Sequence, residues 1–229
     1  MTPARVWLIL AMIYVAFFSW YTSFGGPLTP EEVDWYVAEL ERVGQPPEAI
    51  VDIRGFLEND TGDDFVMLNI VDFREPPLVV AGSPPAADAQ EMVDRYMEFM
   101  YPALFARACH PVMVGSAAHR AMDLMGIEVE DIDVWDQGVL MRYRSRRDLM
   151  DILSNPEFAG RHEFKAAAIE KTIAFPLDPW FQLGDPRLVL ALLFLVIGFA
   201  WQALRRDQET RRIRSAGALE DACETGTQR

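Results

Sequence analysis

Two stretches of this chain carry no charged residue, and they constrain its fold more than anything else in it. Val6 to Phe24 (VWLILAMIYVAFFSWYTSF) runs for 19 residues. As a helix rising about 1.5 Å per residue it spans roughly 30 Å, the hydrocarbon thickness of a bilayer. Trp7 lies at one end and Trp20 and Tyr21 at the other, where amphipathic rings settle at the headgroup level. Leu188 to Leu204 (LVLALLFLVIGFAWQAL) is the second run, ended by Arg205 and Arg206. A buried core helix would show polar residues at helical spacing, and only Gln202 interrupts this one. A cleaved signal peptide is the rival reading of the first run. Its apolar core exceeds the roughly 7–15 residues of such segments, and only Ser23-Phe24-Gly25 resembles a cleavage site. A retained anchor is preferred.

Flanking charge sets the expected orientation. Arg5 precedes the first run, and Arg205, Arg206, Arg211, Arg212 and Arg214 follow the second. The inner flanks carry Glu31, Glu32, Asp34, Asp178 and Asp185, with Arg187 the exception. Positive flanks stay in the cytoplasm. The expectation is a multi-pass protein of the cell (inner) membrane, with cytoplasmic termini and a central domain facing the periplasm or exterior. Its segments are a cytoplasmic N-terminus (1–5), a transmembrane helix (6–24), a helical adaptor (28–62), an extracytoplasmic domain (63–178), a second transmembrane helix (186–204) and a basic cytoplasmic tail (205–229).

The net charge of −14 is concentrated in the middle: 29 acidic against 13 basic residues lie between Leu28 and Trp180. Such a surface repels nucleic acid, which is excluded as a partner. The two cysteines, Cys109 and Cys223, fall on opposite sides of the membrane in this topology and cannot pair. No Cys/His spacing suits zinc, and neither a metal nor a cofactor is expected.

Within the middle region, Thr29-Pro30-Glu31-Glu32 is a helix start, with a Thr cap, Pro at the first position and carboxylates against the dipole. Val33, Tyr36, Val37, Leu40 and Val43 continue it at helical spacing, and a second helix runs from Pro47 to Glu58. Phe65 to Phe73 (FVMLNIVDF) reads as a buried strand. After a proline-rich loop, Asp88 to Cys109 reads as a long helix kinked at Pro102, with His110 at its end. Strands follow at Pro111 to Ser116 and Val134 to Tyr143. Ser145-Arg-Arg-Asp148 opens another helix, and Lys171 to Leu177 is a fourth strand. The order is βαββαβ, an α+β, ferredoxin-like arrangement flanked by transmembrane helices. One sheet face packs on helices and the other stays apolar, so a homodimer through the sheet is expected.

Several segments resemble the DUF1330 family of dimeric α/β barrels. They are the opening strand Phe65–Phe73, the tract Met141-Arg-Tyr-Arg-Ser-Arg-Arg-Asp-Leu149, and Asn155-Pro-Glu-Phe158 followed by Ala167-Ala-Ile-Glu-Lys-Thr172. Together they span about half the chain. The chain departs from that family in its two tethers, and in Phe164-Lys165 where the family carries His-Arg, with His162 close by. The resemblance implies a fold and a cleft, and no reaction.

The candidate cleft residues are Asn69, His110, Arg142, Tyr143, His162 and Lys165. Asn69 is a polar amide on the face of the first strand shared with Phe65, Met67, Val71 and Phe73, and needs partners there. Arg142 would bind a carboxylate, or pair with one of the many acids. His110 also suits a helix C-terminus, and Cys109 beside it does not face it. No motif identifies catalytic residues. The expected function is a membrane-anchored, non-catalytic ligand-binding or interaction domain holding a small apolar or carboxylated molecule. The alternative is a cofactor-independent oxygenase or isomerase; a haem protein ranks below both. Reporter fusions test the topology: those after Leu28 and Trp180 should be exported, and that after Arg214 should be active in the cytoplasm.

Overall fold

The computed structural model describes residues 2–156 and 160–226, with side chains to Gly217. Glu157 and Phe158 of the Asn155–Phe158 stretch, and the side chain of Cys223, fall outside the described residues. The chain divides into two units, Met1–Ser19 with Gln182–Arg229, and Trp20–Phe181.

The first unit holds the second apolar run and the first as far as Ser19. Helix α1 (Pro3–Tyr21) and the N-terminal part of α7 (Pro186–Gly226) are both long and apolar enough to cross a membrane, with mean hydropathies of 1.6 and 2.1. Their apolar side chains are mostly uncovered: Leu8, Val15, Val196 and Phe199 are all about 60% exposed or more. Such surface is costly in water at roughly 25 cal/mol per Å². Within this unit Trp7 meets Phe199 edge-on, at 5.3 Å between centroids. The Trp7 ring also lies so close to Gly198 that a Cβ there would collide with it. Glycine permits the approach, as small residues do between helices in lipid.

The second unit is a mixed α/β domain. Its elements are α2 (Pro30–Arg42), α3 (Pro47–Glu58), β1 (Phe65–Phe73), α4 (Ala89–Ala106), β2 (His110–Ser116), β3 (Gln137–Tyr143), α5 (Arg146–Leu153), α6 (His162–Ala168) and β4 (Ile169–Leu177). The four strands form one antiparallel sheet in the order β2-β3-β1-β4. With the element order βαββαβ, this is the ferredoxin-like topology. Thr29 caps α2 through a reciprocal capping box with Glu32. The α2–α3 pair buries Val33, Tyr36, Val37, Leu40 and Leu57 against Met150 of α5.

Helix α4 ends earlier than its sequence suggests. Ala106 is its last residue, and Ala108 takes a left-handed φ of 55°. The amide of Cys109 donates to the carbonyl of Leu104 (2.9 Å), and that of Ala108 to Phe105 (3.1 Å). This is a Schellman turn whose left-handed position holds Ala instead of Gly, at a conformational cost of about 1 kcal/mol. His110 therefore begins β2 and does not cap the helix. The helix continues through Pro102.

Arginines 142, 144, 146 and 147 fasten the domain's beginning to its sheet. Arg142, 1% exposed, pairs with Asp64 (2.8 Å), donates to the carbonyls of Ala108 (2.8 Å) and Tyr21 (3.0 Å), and stacks on the Tyr21 ring. Arg144 chelates Asp148 and reaches the carbonyl of Trp20. Arg146 donates to the carbonyl of Phe56 and pairs with Asp60. Arg147 forks onto Glu32 at 2.9 and 3.0 Å, and this hydrogen bonding holds the Glu32 carboxyl down at about 2. Truncating one partner of a buried pair strands the other charge. Arg142→Met should lower unfolding stability by about 3 kcal/mol, while Arg142→Lys recovers only part of it, as read by denaturant titration of the solubilised chain.

Candidate functional site

Side chains of antiparallel partners share a face of the sheet. The register pairs Asn69 with Val139, Met67 with Met141, Val71 with Gln137 and Phe65 with Tyr143. This set faces the helices. On α4, Val93, Tyr96, Met97 and Met100 follow at helical spacing and form the facing wall. Lys165 and Ile169 close one end. The result is a cleft with an interior of ≈ 120 Å³, lying between two apolar clusters centred on Met100–Met141 and on Met92–Phe164.

Five polar side chains line this cleft: Asn69, Tyr96, Gln137, Tyr143 and Lys165. Among the described residues lining it there is no Asp or Glu. The Asn69 amide donates to the carbonyl of Met67 at 3.2 Å. The two phenol hydroxyls, the Gln137 amide and the Lys165 amine have no hydrogen-bond or ion-pair partner among the described residues. Tyr143 is held by stacking on Phe65, 5.2 Å between ring centroids. Desolvation raises both phenols, Tyr96 to about 12 and Tyr143 further, so both keep their protons and act as donors. Desolvation also moves the half-buried Lys165 down from its usual 10.5, since burial penalises the charged amine.

The chain has only two lysines among its 21 basic residues, and the other is placed quite differently. Lys171 pairs with Asp72 at 3.5 Å, donates to the carbonyl of Asp131 and lies over the Trp135 ring. One lysine is neutralised on every side. The other lines the apolar cleft and, on its far side, a groove shared with His162 and Glu170.

Of the six candidate residues, Asn69, Tyr143 and Lys165 line this one cleft. His162 sits one helical turn before Lys165 on α6, exposed overall, and lines the adjoining grooves. Its pKa is lowered by desolvation and further by the Lys165 charge. Arg142 and His110 lie elsewhere, and the expectation that they join Asn69 is corrected. Arg142 pairs in register with Val66 and His110, on the opposite face from Asn69. Its guanidinium is consumed by Asp64 and two carbonyls. His110 shares a 2.7 Å hydrogen bond with the Tyr21 hydroxyl. Cys109 is fully buried, and its thiol is pushed up to about 11, which leaves it inert. Sequence reasoning missed Gln137 and the role of Tyr96. Alternation through Val139, Met141 and Tyr143 was the available signal for Gln137.

No protein-family model matches the chain, and no curated protein does. Among solved structures, a protein of unknown function from Rhodopseudomonas palustris is 21% identical with a TM-score of 0.46, covering 61% of this chain and 98% of its own. A protein from Arabidopsis thaliana is 11% identical with a TM-score of 0.33, covering 52% and 97%. A dimeric protein of unknown function and ferredoxin-like fold from Bacteroides fragilis is 10% identical with a TM-score of 0.30, covering 51% and 96%.

An unpaired, half-buried amine opposes folding. Lys165 binds fewer protons folded than unfolded below pH 10.5, so its penalty is greatest at low pH and fades as pH rises towards that value. Lys165→Met should therefore stabilise the chain by about 1 kcal/mol at pH 7, with the gain shrinking between pH 7 and pH 10 in paired thermal melts. Above pH 10 the raised phenols impose the opposite slope on both proteins.

Proposed function

We propose that this chain is a membrane-anchored ligand-binding domain. Its two apolar helices span the membrane with both termini inside, and the α/β domain lies on the outer side. The ligand is a small molecule with an apolar body and an oxygen-bearing head. The observation that carries this reading is the cleft's polar lining: two phenols, a primary amide and an amine without partners among the described residues, in otherwise apolar walls. Unpaired donors in a half-buried site lose free energy unless something accepts from them, and a carboxylate accepts from all of them. An interior near 120 Å³ suits a body about the size of a benzene ring or a short alkyl chain. A lining of amides, phenols and one amine, without carboxylates, supports retention of a ligand over proton-transfer catalysis.

The second sheet face supports a homodimer, as does the resemblance to the DUF1330 barrels. Val66, Leu68 and Ile70 of β1 share it with Leu140, Ile173, Phe175 and Leu177. Ile173, Phe175 and Leu177 are each about 40% exposed, and such a patch is energetically satisfied by a second copy.

The test uses the full chain in detergent. Benzoate and hexanoate should each raise its melting temperature saturably, by the equivalent of about 2.7 kcal/mol at one hundred times Kd. Lys165→Met should lose the response. No shift with either anion overturns the ligand reading. Light scattering of the same samples should report a dimer that Phe175→Glu dissociates, and a monomeric parent chain overturns the sheet-to-sheet pairing.

A further inference from the structure

We infer that Lys165 captures small aldehydes or ketones in this cleft as a reversible imine. The inference rests on the ligand-binding reading of the same site and names a second, covalent class of occupant for it.

Imine formation requires an uncharged amine, a carbonyl carbon brought against it and a proton donor for the carbonyl oxygen. The cleft supplies these requirements from separate elements. Lys165 on α6 lines the cleft and has no hydrogen-bond or ion-pair partner among the described residues; none of these that line the cleft is a carboxylate, and Glu170 shares only the adjoining groove. Desolvation favours the neutral form. Val71, Val93, Met97, Val139 and Met141 line the walls with apolar surface, which receives the body of an aryl or short alkyl carbonyl compound. Tyr143 on β3 and Tyr96 on α4 line the same space and carry the phenol protons nearest to it. Both remain protonated at neutral pH.

The choice of residue matters as well. Nineteen of the 21 basic residues are arginine, which holds its proton throughout the physiological range and is no nucleophile. A lysine stands at the position where an amine lines an apolar cleft. A fixed cation for a carboxylate could equally have been arginine. A nucleophilic nitrogen could not.

The step balances without any redox partner. The amine lone pair adds to the carbonyl carbon, forming the C–N bond, and a phenol proton neutralises the oxygen. The adduct's nitrogen gives its first proton back to the phenolate, the restored phenol protonates the hydroxyl, which leaves as water, and the second nitrogen proton restores the phenol again. The products are the imine and one water, and hydrolysis reverses the sequence.

The experiment is reductive trapping on the full chain in detergent at pH 7, with benzaldehyde as the probe and cyanoborohydride as the reductant, followed by peptide mass mapping. The chain is its own control, because Lys171 is the second lysine and is held by Asp72 and the Asp131 carbonyl. Lys165 should be benzylated about ten-fold faster than Lys171, and benzoate in excess should suppress labelling at Lys165 alone. Lys165→Arg should bind benzoate and trap nothing at that position. Equal labelling of the two lysines, or labelling at Lys165 that benzoate does not affect, overturns the inference. If benzoate stabilises the chain but no adduct forms at Lys165, the imine fails and the ligand reading stands. If benzoate and hexanoate also leave the melting temperature unchanged, both fail together.

Discussion

A short arginine-rich tract, Arg142 to Arg147, is the interaction on which the domain depends. Its four guanidinium groups reach backwards to Trp20, Tyr21, Glu32, Phe56, Asp60 and Asp64. Those partners belong to the segments that precede the sheet or open it, so one six-residue stretch holds residues 20–64 against β3 and α5. Arginine suits this task because its planar fork satisfies a carboxylate and a carbonyl at once, and because it stays charged when desolvated. The acidic surplus of the middle region supplies the counter-charges. Several of these acids are thus structural partners of the tract and not simply a solvated surface.

The same sheet has two faces with opposite needs. Helices α4 and α6 cover one face incompletely and leave a cleft whose walls are apolar and whose polar groups, Asn69 apart, lack partners among the described residues. The other face carries β-branched and aromatic side chains that remain partly exposed. A strand in such a sheet alternates between the two environments, so Asn69 and Leu68 are neighbours in the chain with different surroundings. This explains how a small domain can hold both a cleft and an exposed apolar face without either intruding on the other. Lys165 belongs to the first environment, and Phe175 to the second.

Much of the architecture was legible in the sequence. The bounds of α2 and α3 follow from Thr29, Pro30 and Pro47, since caps and prolines fix helix starts through local hydrogen bonding alone. Strand β1 was legible because nine residues so apolar and β-branched have few alternatives. The end of α4 was not, because the left-handed turn position holds Ala108 instead of glycine. That turn is held by the buried Cys109 and by the Arg142 bond to the Ala108 carbonyl, which are tertiary contacts that leave no local signature. Strand β3 begins at Gln137, three residues later than its composition suggests; just before it, Asp136 bonds the Val71 carbonyl through its amide and the Phe73 amide through its carboxylate.

The sequence by itself determined what depends on near neighbours or on solvent: two helices apolar enough for a bilayer, the helix caps, the alternation of each strand and the βαββαβ order. Only the tertiary structure decided which polar residues meet. Alternation says that Asn69 has one face and Arg142 has one face, but strand register alone says whether they are the same, and a slip of a single residue reverses the answer. The observed pairing of Asn69 with Val139 sends Arg142 to the opposite side and Tyr143 to the helix-facing one. Lys165 reaches that same cleft from a helix nearly a hundred residues further along the chain, a juxtaposition that no local pattern encodes.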